Sequence, residues 1–389
     1  MNLSAWDART GLAALLAAVT AISAAACAPK QSATSDGDKS RADVIRVDAS
    51  DTACKLSGTE AKTGPSTFQI TNNGSQVTEF YVYGDGDRVL GEVENISPGL
   101  QRKLIVQLAE PGTYFTACKP GMIGDGIRAN FTVTGDAVNL DSDARFKQAA
   151  ESYKNYVTSQ TRELVTATTA FVGAVKKGDV VGAEALYPKA RTYYERIEPV
   201  AESFPHDLAT RIDAHEADLQ AGQQWTGFHR LEKDLWVSGL QPDTNSIADQ
   251  LLADVKELDT TIKDPAWKID PAHIAGGAQA LLDKVARTKI AGAEDTFSHT
   301  DLWDFQANVD GSRTAVGSVR PILDARDAEL GKRVDATFAK VQGLLDRHRW
   351  NDGFVPYDKV TEPERQELSR AIDAVSAEVG KVQDVIAKQ

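Results

Sequence analysis

The chain lacks the excess of basic residues that nucleic-acid binding requires. Lysine and arginine number 43 among 389 residues, against 56 aspartates and glutamates, which gives a formal net charge of −13. Phosphate binding needs clustered positive charge, so the composition argues against a general nucleic-acid binder. Catalytic motifs are also missing, since neither Gly-x-Ser-x-Gly, nor a phosphate loop, nor His-Glu-x-x-His occurs. Most of the negative charge lies beyond residue 135, where it could attract cations.

The apolar run near the N-terminus is too short to cross a membrane as a helix. It covers residues 11–22, follows Arg9, and is succeeded by small residues and then Cys27. This order resembles a bacterial lipoprotein signal, residues 1–27, in which Cys27 becomes the lipidated N-terminus; an ordinary secretory signal is the alternative. Residues 28–40 have the composition of a flexible tether. We therefore expect an exported protein, lipid-anchored to the outer face of the cytoplasmic membrane.

Cysteine is scarce, with three residues in the whole chain. If Cys27 carries the lipid, Cys54 and Cys118 remain as a pair. In an oxidising compartment, a disulfide between them is the default expectation. If they are instead reduced, the two thiolates could share a second metal site with Glu79 or Glu92. The sequence leaves both interpretations open.

Residues 41–135 have the pattern of a small β-sandwich. Short runs of alternating or β-branched residues are separated by Gly, Pro and Asn turn signals. The last hairpin, from Pro111 through Cys118 to Met122, is similar to that of a cupredoxin. Histidine, however, is absent before His206, and a blue-copper centre needs two histidines and a cysteine. This region therefore cannot form such a centre from its own residues.

Residues 141–389 have the pattern of a helical domain. Apolar residues recur there at spacings of three and four, and the separators are prolines, glycines and polar turns. Many helices joined by short connections favour packed four-helix bundles. The expected fold is thus a cupredoxin-like β-sandwich followed by an all-α domain. Helices are predicted at residues 143–177, 180–198, 206–220, 226–238, 244–263, 271–291, 311–349 and 362–388.

Three stretches of the helical region carry ionisable residues where an apolar pattern does not require them. The candidates are Glu195 and Glu198, then Asp213 with His215 nearby, then His229 and Glu232. A spacing of three places two side chains on one face of a helix. The acids could instead form ion pairs, and the histidine could be a packed core residue. Convergence in an acidic, exported domain favours a site for iron, Zn²⁺ or Mn²⁺.

Residues 227–232 read Gly-Phe-His-Arg-Leu-Glu and match the Gly-x-His-x-x-Glu motif of imelysin-like domains. With the export signal and the cupredoxin-like domain, the chain resembles the bacterial iron-uptake components of this family. Residues 92–99, 212–216 and 297–305 support the resemblance. It implies iron, as Fe²⁺ or Fe³⁺, as the cargo, with a membrane iron permease and a secreted haem peroxidase as partners. The implied metal ligands are Glu195, Glu198, Asp213, His229 and Glu232.

The leading hypothesis is a lipid-anchored, extracytoplasmic iron-binding protein that delivers iron to a permease and is not an enzyme. The β-sandwich is expected either to dock a partner or to bind copper or zinc, with oxidation of Fe²⁺ as an open activity. Two other functions stay open. One is an imelysin-like zinc metallopeptidase, and the other is a carbohydrate-binding module that stacks sugars on Tyr193, Tyr194, Trp225 and Trp236.

Overall fold

A computed structural model describes residues 44–139, 143–219 and 222–387. The predicted signal at residues 1–27, with Cys27, and the predicted tether at residues 28–40 lie outside the described residues. Within the described ranges, no helix is both long enough and apolar enough to cross a membrane.

The first part of the described chain is built from β-strands. They are β1 (Val44–Ala49), β2 (Cys54–Leu56), β3 (Glu60–Lys62), β4 (Gly64–Asn72), β5 (Thr78–Tyr83), β6 (Val89–Ile96), β7 (Gln101–Leu108), β8 (Gly112–Cys118) and β9 (Ile127–Thr134). In β1 and β4 every second residue is buried, as the period of a strand with one face on a core requires. The predicted β fold of this region is confirmed.

The strands form two sheets that share one apolar core. One sheet has the order β2-β1-β4-β7, and the other has the order β3-β9-β8-β5-β6. β1 pairs with β4 in parallel, and β3 pairs with β9 in parallel, whereas the other neighbours are antiparallel. Phe68 lies at the centre of the core, with its ring 5.4 Å from that of Phe80 and 5.5 Å from that of Phe131.

A disulfide joins the two sheets. Cys54 in β2 and Cys118 in β8 are bonded, with an S–S distance of 2.03 Å. Their separation of 64 residues means that the crosslink closes a long loop, which restricts the unfolded chain. Because the two sulfurs are bonded to each other, neither acts as a thiolate ligand in this structure.

The second part of the described chain is helical, and the predicted all-α region is confirmed. It contains α1 (Ala144–Lys176), α2 (Val180–Glu195), α3 (Leu208–Asp213), α4 (Phe228–Lys233), α5 (Thr244–Lys263), α6 (Pro271–Arg287), α7 (Asp301–Leu345) and α8 (Glu362–Ala387). A hairpin of β10 (Arg349–Trp350) and β11 (Gly353–Phe354) precedes α8. The helix α1 packs on α2 and α5, while α6, α7 and α8 pack on one another.

The helices around the candidate site differ from the prediction. The expectation that Glu195 and Glu198 share one helix face is wrong, because α2 ends at Glu195 and Glu198 opens a short 3₁₀ turn. Pro199 explains the break, since it has no backbone N–H with which to bond the carbonyl oxygen of Glu195 and continue the α-helix. The described residues of the predicted segment 206–220 form the short α3 and the 3₁₀ turn Glu216–Asp218 rather than one helix. The helix α7 begins at Asp301 rather than at residue 311.

The helical region packs directly against the β-sandwich. Gln383 in α8 donates a hydrogen bond to the carbonyl oxygen of Ile105 in β7 at 3.0 Å. Arg287 at the end of α6 donates to the carbonyl oxygen of Asn95 in β6 at 3.3 Å. The 3₁₀ turn Glu198–Ser203 also packs on β6. As a result, the turn that follows Glu195 lies between the two parts of the chain.

Candidate metal site

Gly227 positions the short helix that carries His229. Its φ of +89° lies in the region that favours glycine. A Cβ at this position would overlap the backbone carbonyl of Ile212. The start of α4 therefore touches the end of α3, and this close approach brings His229 next to Asp213.

The two ring nitrogens of His229 have different surroundings, although the side chain as a whole is buried. Nδ1 lies 3.0 Å from Oε2 of Glu232 and 3.3 Å from the hydroxyl of Tyr187. Nε2 is buried and has no hydrogen-bond partner among the described residues. It lies 3.5 Å from Oδ1 of Asp213. A buried nitrogen without a partner is uncommon in proteins, and this one faces a carboxylate, as a metal ligand does.

Glu232 is already engaged at both carboxylate oxygens. Oε2 accepts a hydrogen bond from His229 in the tautomer that carries its proton on Nδ1, while Oε1 accepts hydrogen bonds from the backbone N–H groups of Phe297 and Ser298 at 2.9 and 2.7 Å. A carboxylate that holds one nitrogen of a histidine fixes the ring and directs the other nitrogen towards a metal. The contacts of Glu232 therefore fix the orientation of the His229 ring.

The electrostatic environment keeps His229 in the form that binds metals. Burial, with the nearby charges of His215 and Arg191, lowers the pKa of His229 well below its ordinary value. Neutral imidazole is the form that donates a lone pair to a metal ion. His229 is therefore available as a ligand without first losing a proton at neutral pH.

Carboxylates cluster on the other side of His229. Oxygens of Glu195, Asp213 and Glu294 lie within 4.8 Å of one another, and a second group of the same spacing joins His215, His229 and Glu294. Glu294 and its neighbour Asp295 sit in the turn before α7. Burial raises the pKa of Asp295 to about 6; the charge of Arg191 opposes this shift, and that of Glu232 adds to it.

Arg191, which is fully buried in α2, neutralises part of this cluster. Its guanidinium lies 2.6 Å from Glu195, 2.8 Å from Glu294 and Asp304, and 3.5 Å from Asp295, and it also pairs with Asp213. Buried carboxylates need such partners, because an unpaired charge away from water is costly.

Lys289 is the second buried cation of the cluster. Its ammonium group lies 2.8 Å from Glu195, 2.7 Å from Glu198 and 3.0 Å from Glu294. Burial opposes ionisation of Glu198, but Lys284 and Lys289 hold its pKa well below the ordinary value. All three donors of the ammonium group are thus used by carboxylates. This lysine holds one oxygen of Glu195 and one of Glu198. The other oxygen of Glu195 pairs with Arg191, and the other oxygen of Glu198 pairs with Lys284.

The structure gathers the residues that the sequence singled out, with different roles. Asp213 and His229 face each other, Glu232 supports His229, and Glu195 and Glu198 are held by Lys289. Sequence reasoning missed Glu294 and Asp295, although two adjacent acids directly before residues 297–305 were a visible signal. It also missed Lys289, for which no local pattern exists.

The acids proposed for the β-sandwich lie in a second cluster. Glu79 is 5% exposed and accepts a hydrogen bond from the Tyr81 hydroxyl at 3.2 Å. Oxygens of Glu92, Glu94 and Glu202 lie within 4.8 Å of one another, and Glu202 belongs to the helical region. These acids are therefore near the contact between the sandwich and the helices, whereas Cys54 and Cys118 are bonded to each other.

Of the four aromatic residues that suggested a glycan surface, Tyr194 is buried, whereas Tyr193, Trp225 and Trp236 are half-buried. Tyr194 is 1% exposed. Trp225 donates its indole N–H to the carbonyl oxygen of Ala214 at 2.8 Å, and the Trp236 ring packs edge-on against Tyr187 at 5.3 Å. Tyr194 is therefore not available for stacking on a sugar.

Comparison with known families agrees with this architecture. Residues 149–382 match the imelysin family model, and residues 12–133 match the model of the cupredoxin-like domain. The chain belongs to the imelysin family, here with a cupredoxin-like domain in front of the helical domain. The resemblance drawn from the motif at residues 227–232 is confirmed.

Individual relatives extend the match over most of the chain. The protein named iron uptake system component EfeO in Escherichia coli O157:H7 is 39% identical over 351 residues, which cover 88% of this chain and 91% of the relative. The proteins of the same name in Escherichia coli K12 and Shigella flexneri show the same identity and coverage.

Proposed function

We propose that the chain captures iron, as Fe²⁺ or Fe³⁺, outside the cytoplasm and passes it to a membrane iron permease. The observation that carries this proposal is the buried, unpartnered Nε2 of His229, which faces Asp213. A histidine nitrogen with carboxylate oxygens can bind several transition-metal ions. We propose iron among them because the EfeO relatives are named iron uptake system components. Iron is here the cargo, so the site binds and releases it, and no catalytic step is required.

Excess negative charge in the cluster supports cation binding. Arg191, Lys284 and Lys289 provide positive charge, but the carboxylates outnumber them: Glu195, Glu198, Asp213, Glu232, Glu294, Asp295, Asp301 and Asp304. Burial, with the charge of Asp295, raises the pKa of Asp301 to about 8. A bound cation would favour the ionised form of such a buried carboxyl and so lower its pKa again.

We assign roles to the predicted ligands according to their contacts. His229 binds the ion through Nε2, and Asp213 and Glu294 bind through carboxylate oxygens, while Glu232 holds the His229 ring. Glu195 and Glu198 would reach the ion only by exchanging their contacts with Lys289. In the absence of iron, the lysine balances their charge.

The location and the partners of the protein are part of the same proposal. The lipoprotein-type signal at residues 1–27 would place Cys27 as a lipid anchor on the outer face of the cytoplasmic membrane. Anchoring would keep the site near the permease, and a secreted haem peroxidase would belong to the same uptake system. The cupredoxin-like domain would then dock a partner or bind a second ion, such as copper or zinc.

Calorimetric titration with Fe²⁺ under anaerobic conditions tests the proposal. We expect His229→Gln to weaken binding by about 100-fold or more, since loss of even an outer partner of a ligand costs about 10–100-fold. Glu232→Gln should weaken binding by about tenfold, because the ligand remains but its ring is less firmly held. Exposed His206, which contacts Glu257, provides the control variant His206→Gln. Unchanged affinity in His229→Gln would refute the proposed site.

A further inference from the structure

His215 lies between the buried His229 and solvent. It sits on the connection that leaves α3, and its side chain is 24% exposed, against 2% for the side chain of His229. The two imidazole rings stack, with centroids 4.0 Å apart and an interplanar angle of 24°. The unpartnered nitrogen of His229 is thus covered by a second imidazole that can itself reach solvent.

The contacts of His215 leave it free to change partners. Nε2 lies 3.1 Å from the backbone carbonyl oxygen of Glu294 and 3.9 Å from its carboxylate. Nδ1 lies 3.5 Å from the exposed carboxylate of Asp218. One hydrogen bond to a carbonyl and one ion-pair contact at the surface hold the ring much less firmly than Glu232 and Tyr187 hold His229.

We propose that His215 is a mobile metal ligand, which exchanges the Glu294 carbonyl for the ion and binds it together with His229 and Glu294. Ligand-capable atoms of these three residues already lie within 4.8 Å of one another. This inference rests on the proposed function, and it adds a second imidazole to a site that otherwise offers one. In the sequence His215 lies two residues after Asp213 and is not among the predicted ligands.

A site with two imidazoles prefers a particular class of cation. Imidazole nitrogen suits divalent first-row transition ions such as Fe²⁺, Co²⁺ and Zn²⁺, whereas Mg²⁺ and Ca²⁺ prefer oxygen ligands. A cluster of carboxylates alone would not discriminate in this way. His215 would therefore help the protein to select transition-metal ions over Mg²⁺ and Ca²⁺ in the surrounding medium.

Metal binding requires the stacked rings to separate. A metal lies in the plane of each imidazole that binds it, so two nearly parallel rings cannot both direct a lone pair at one ion. His229 is fixed by its contacts inside the protein, and the partly exposed His215 is the ring that turns. Nε2 of His215 then leaves the carbonyl of Glu294, and the ring turns until its plane contains the ion and its lone pair is directed at it.

Zinc loading of the full chain, followed by NMR of the histidine rings, tests this inference. Long-range ¹H–¹⁵N spectra use carbon-bound ring protons, and the chain has only six histidines to assign. We expect Zn²⁺ to shift the Nε2 resonances of both His215 and His229. His215→Ala should retain the shift of His229 and lose about 10–100-fold in Zn²⁺ affinity, with little change towards Mg²⁺.

The variants separate failure of this inference from failure of the proposed function. His206→Ala is the matched control, since His206 is exposed and pairs with Glu257 away from this cluster. If only His229 shifts and His215→Ala binds Zn²⁺ as tightly as the wild type, His215 is not a ligand, while the proposed site stands. If neither ring shifts, both proposals fail. His215→Asn is a second variant, which preserves polarity at the surface should the alanine variant fold poorly.

Discussion

His229 and Glu232 show how one motif can hold two different roles. The two residues are three positions apart, and the sequence alone predicts both as metal ligands. Both are buried in the structure. In the structure Glu232 uses its two oxygens for Nδ1 of His229 and for backbone N–H groups, whereas Nε2 of His229 has no partner among the described residues. Spacing along a helix predicts proximity, but it does not reveal which atoms are already satisfied.

The acidic residues illustrate a second limit of sequence reasoning at this scale. The sequence allows either ion pairing or metal binding for Glu195 and Glu198, and in the structure both residues pair with Lys289. Lys289 is more than 90 residues away in the chain, so no periodic pattern predicts the contact. A buried site can hold internal cations and still carry excess negative charge for a metal.

At the scale of elements, short irregular pieces build the site and long regular helices support it. The helices α3 and α4 have six residues each, and α4 continues into a π-helical turn, Asp234–Ser238. Such turns are rare and frequently accompany functional sites. Apolar spacing predicts α1, most of α7 and the helical segment 226–238 that contains α4. The short extent of α3 and the start of α7 at Asp301 depend on tertiary contacts that no local pattern contains.

Gly227→Ala tests the dependence of the site on the contact between α3 and α4. The added Cβ would meet the carbonyl of Ile212, and the positive φ would add backbone strain. We expect a loss of about 2–4 kcal/mol in the free energy of unfolding and weaker metal binding, because α4 must move away from Asp213. Urea unfolding and a metal titration measure the two effects.

Gly239→Ala is the matched control for this substitution. Gly239 also has a positive φ, of +73°, but a Cβ there would find no atom within 4 Å. Only backbone strain remains, so we expect a loss of about 1 kcal/mol and unchanged metal affinity. Equal effects of the two substitutions would show that the close approach at Gly227 does not position His229.

At the scale of the whole molecule, the β-sandwich and the helices meet at a group of acids. Glu79 is buried beside Tyr81, and Glu94 and Glu202 contribute further negative charge. Burial and the charge of Glu94 raise the pKa of Glu79 to about 8. The contact between the two parts of the chain is therefore expected to respond to pH.

Glu79→Gln tests this response. Between its ordinary pKa of 4.5 and about 8, Glu79 is ionised in the unfolded chain but protonated in the folded protein. The folded state binds the extra proton, so its stability falls as pH rises through this window. As the pH rises from about 5 to about 8, we expect the free energy of unfolding of Glu79→Gln to increase by about 1–3 kcal/mol relative to that of the wild type. Urea unfolding at both pH values, with exposed Glu60→Gln as control, measures this gain; a constant difference would contradict it.

Much of the large-scale organisation could be predicted from the sequence. Alternation in β1 and β4, and apolar spacing in α1 and α7, reflect periods that a single stretch of chain contains. The motif around His229 indicated the region of the site. The partners of that motif could not be predicted in full, because Glu294 and Lys289 reach it through long-range packing.

Anomalous diffraction from crystals of the full chain soaked in Fe²⁺ tests the central claim most directly. At the iron absorption edge, we predict a peak about 2.1 Å from Nε2 of His229, the usual distance between a metal and an imidazole nitrogen. Carboxylate oxygens of Asp213 and Glu294 should also coordinate the ion. A soaked crystal with iron only among Glu92, Glu94 and Glu202, or with no peak near His229, would contradict the account.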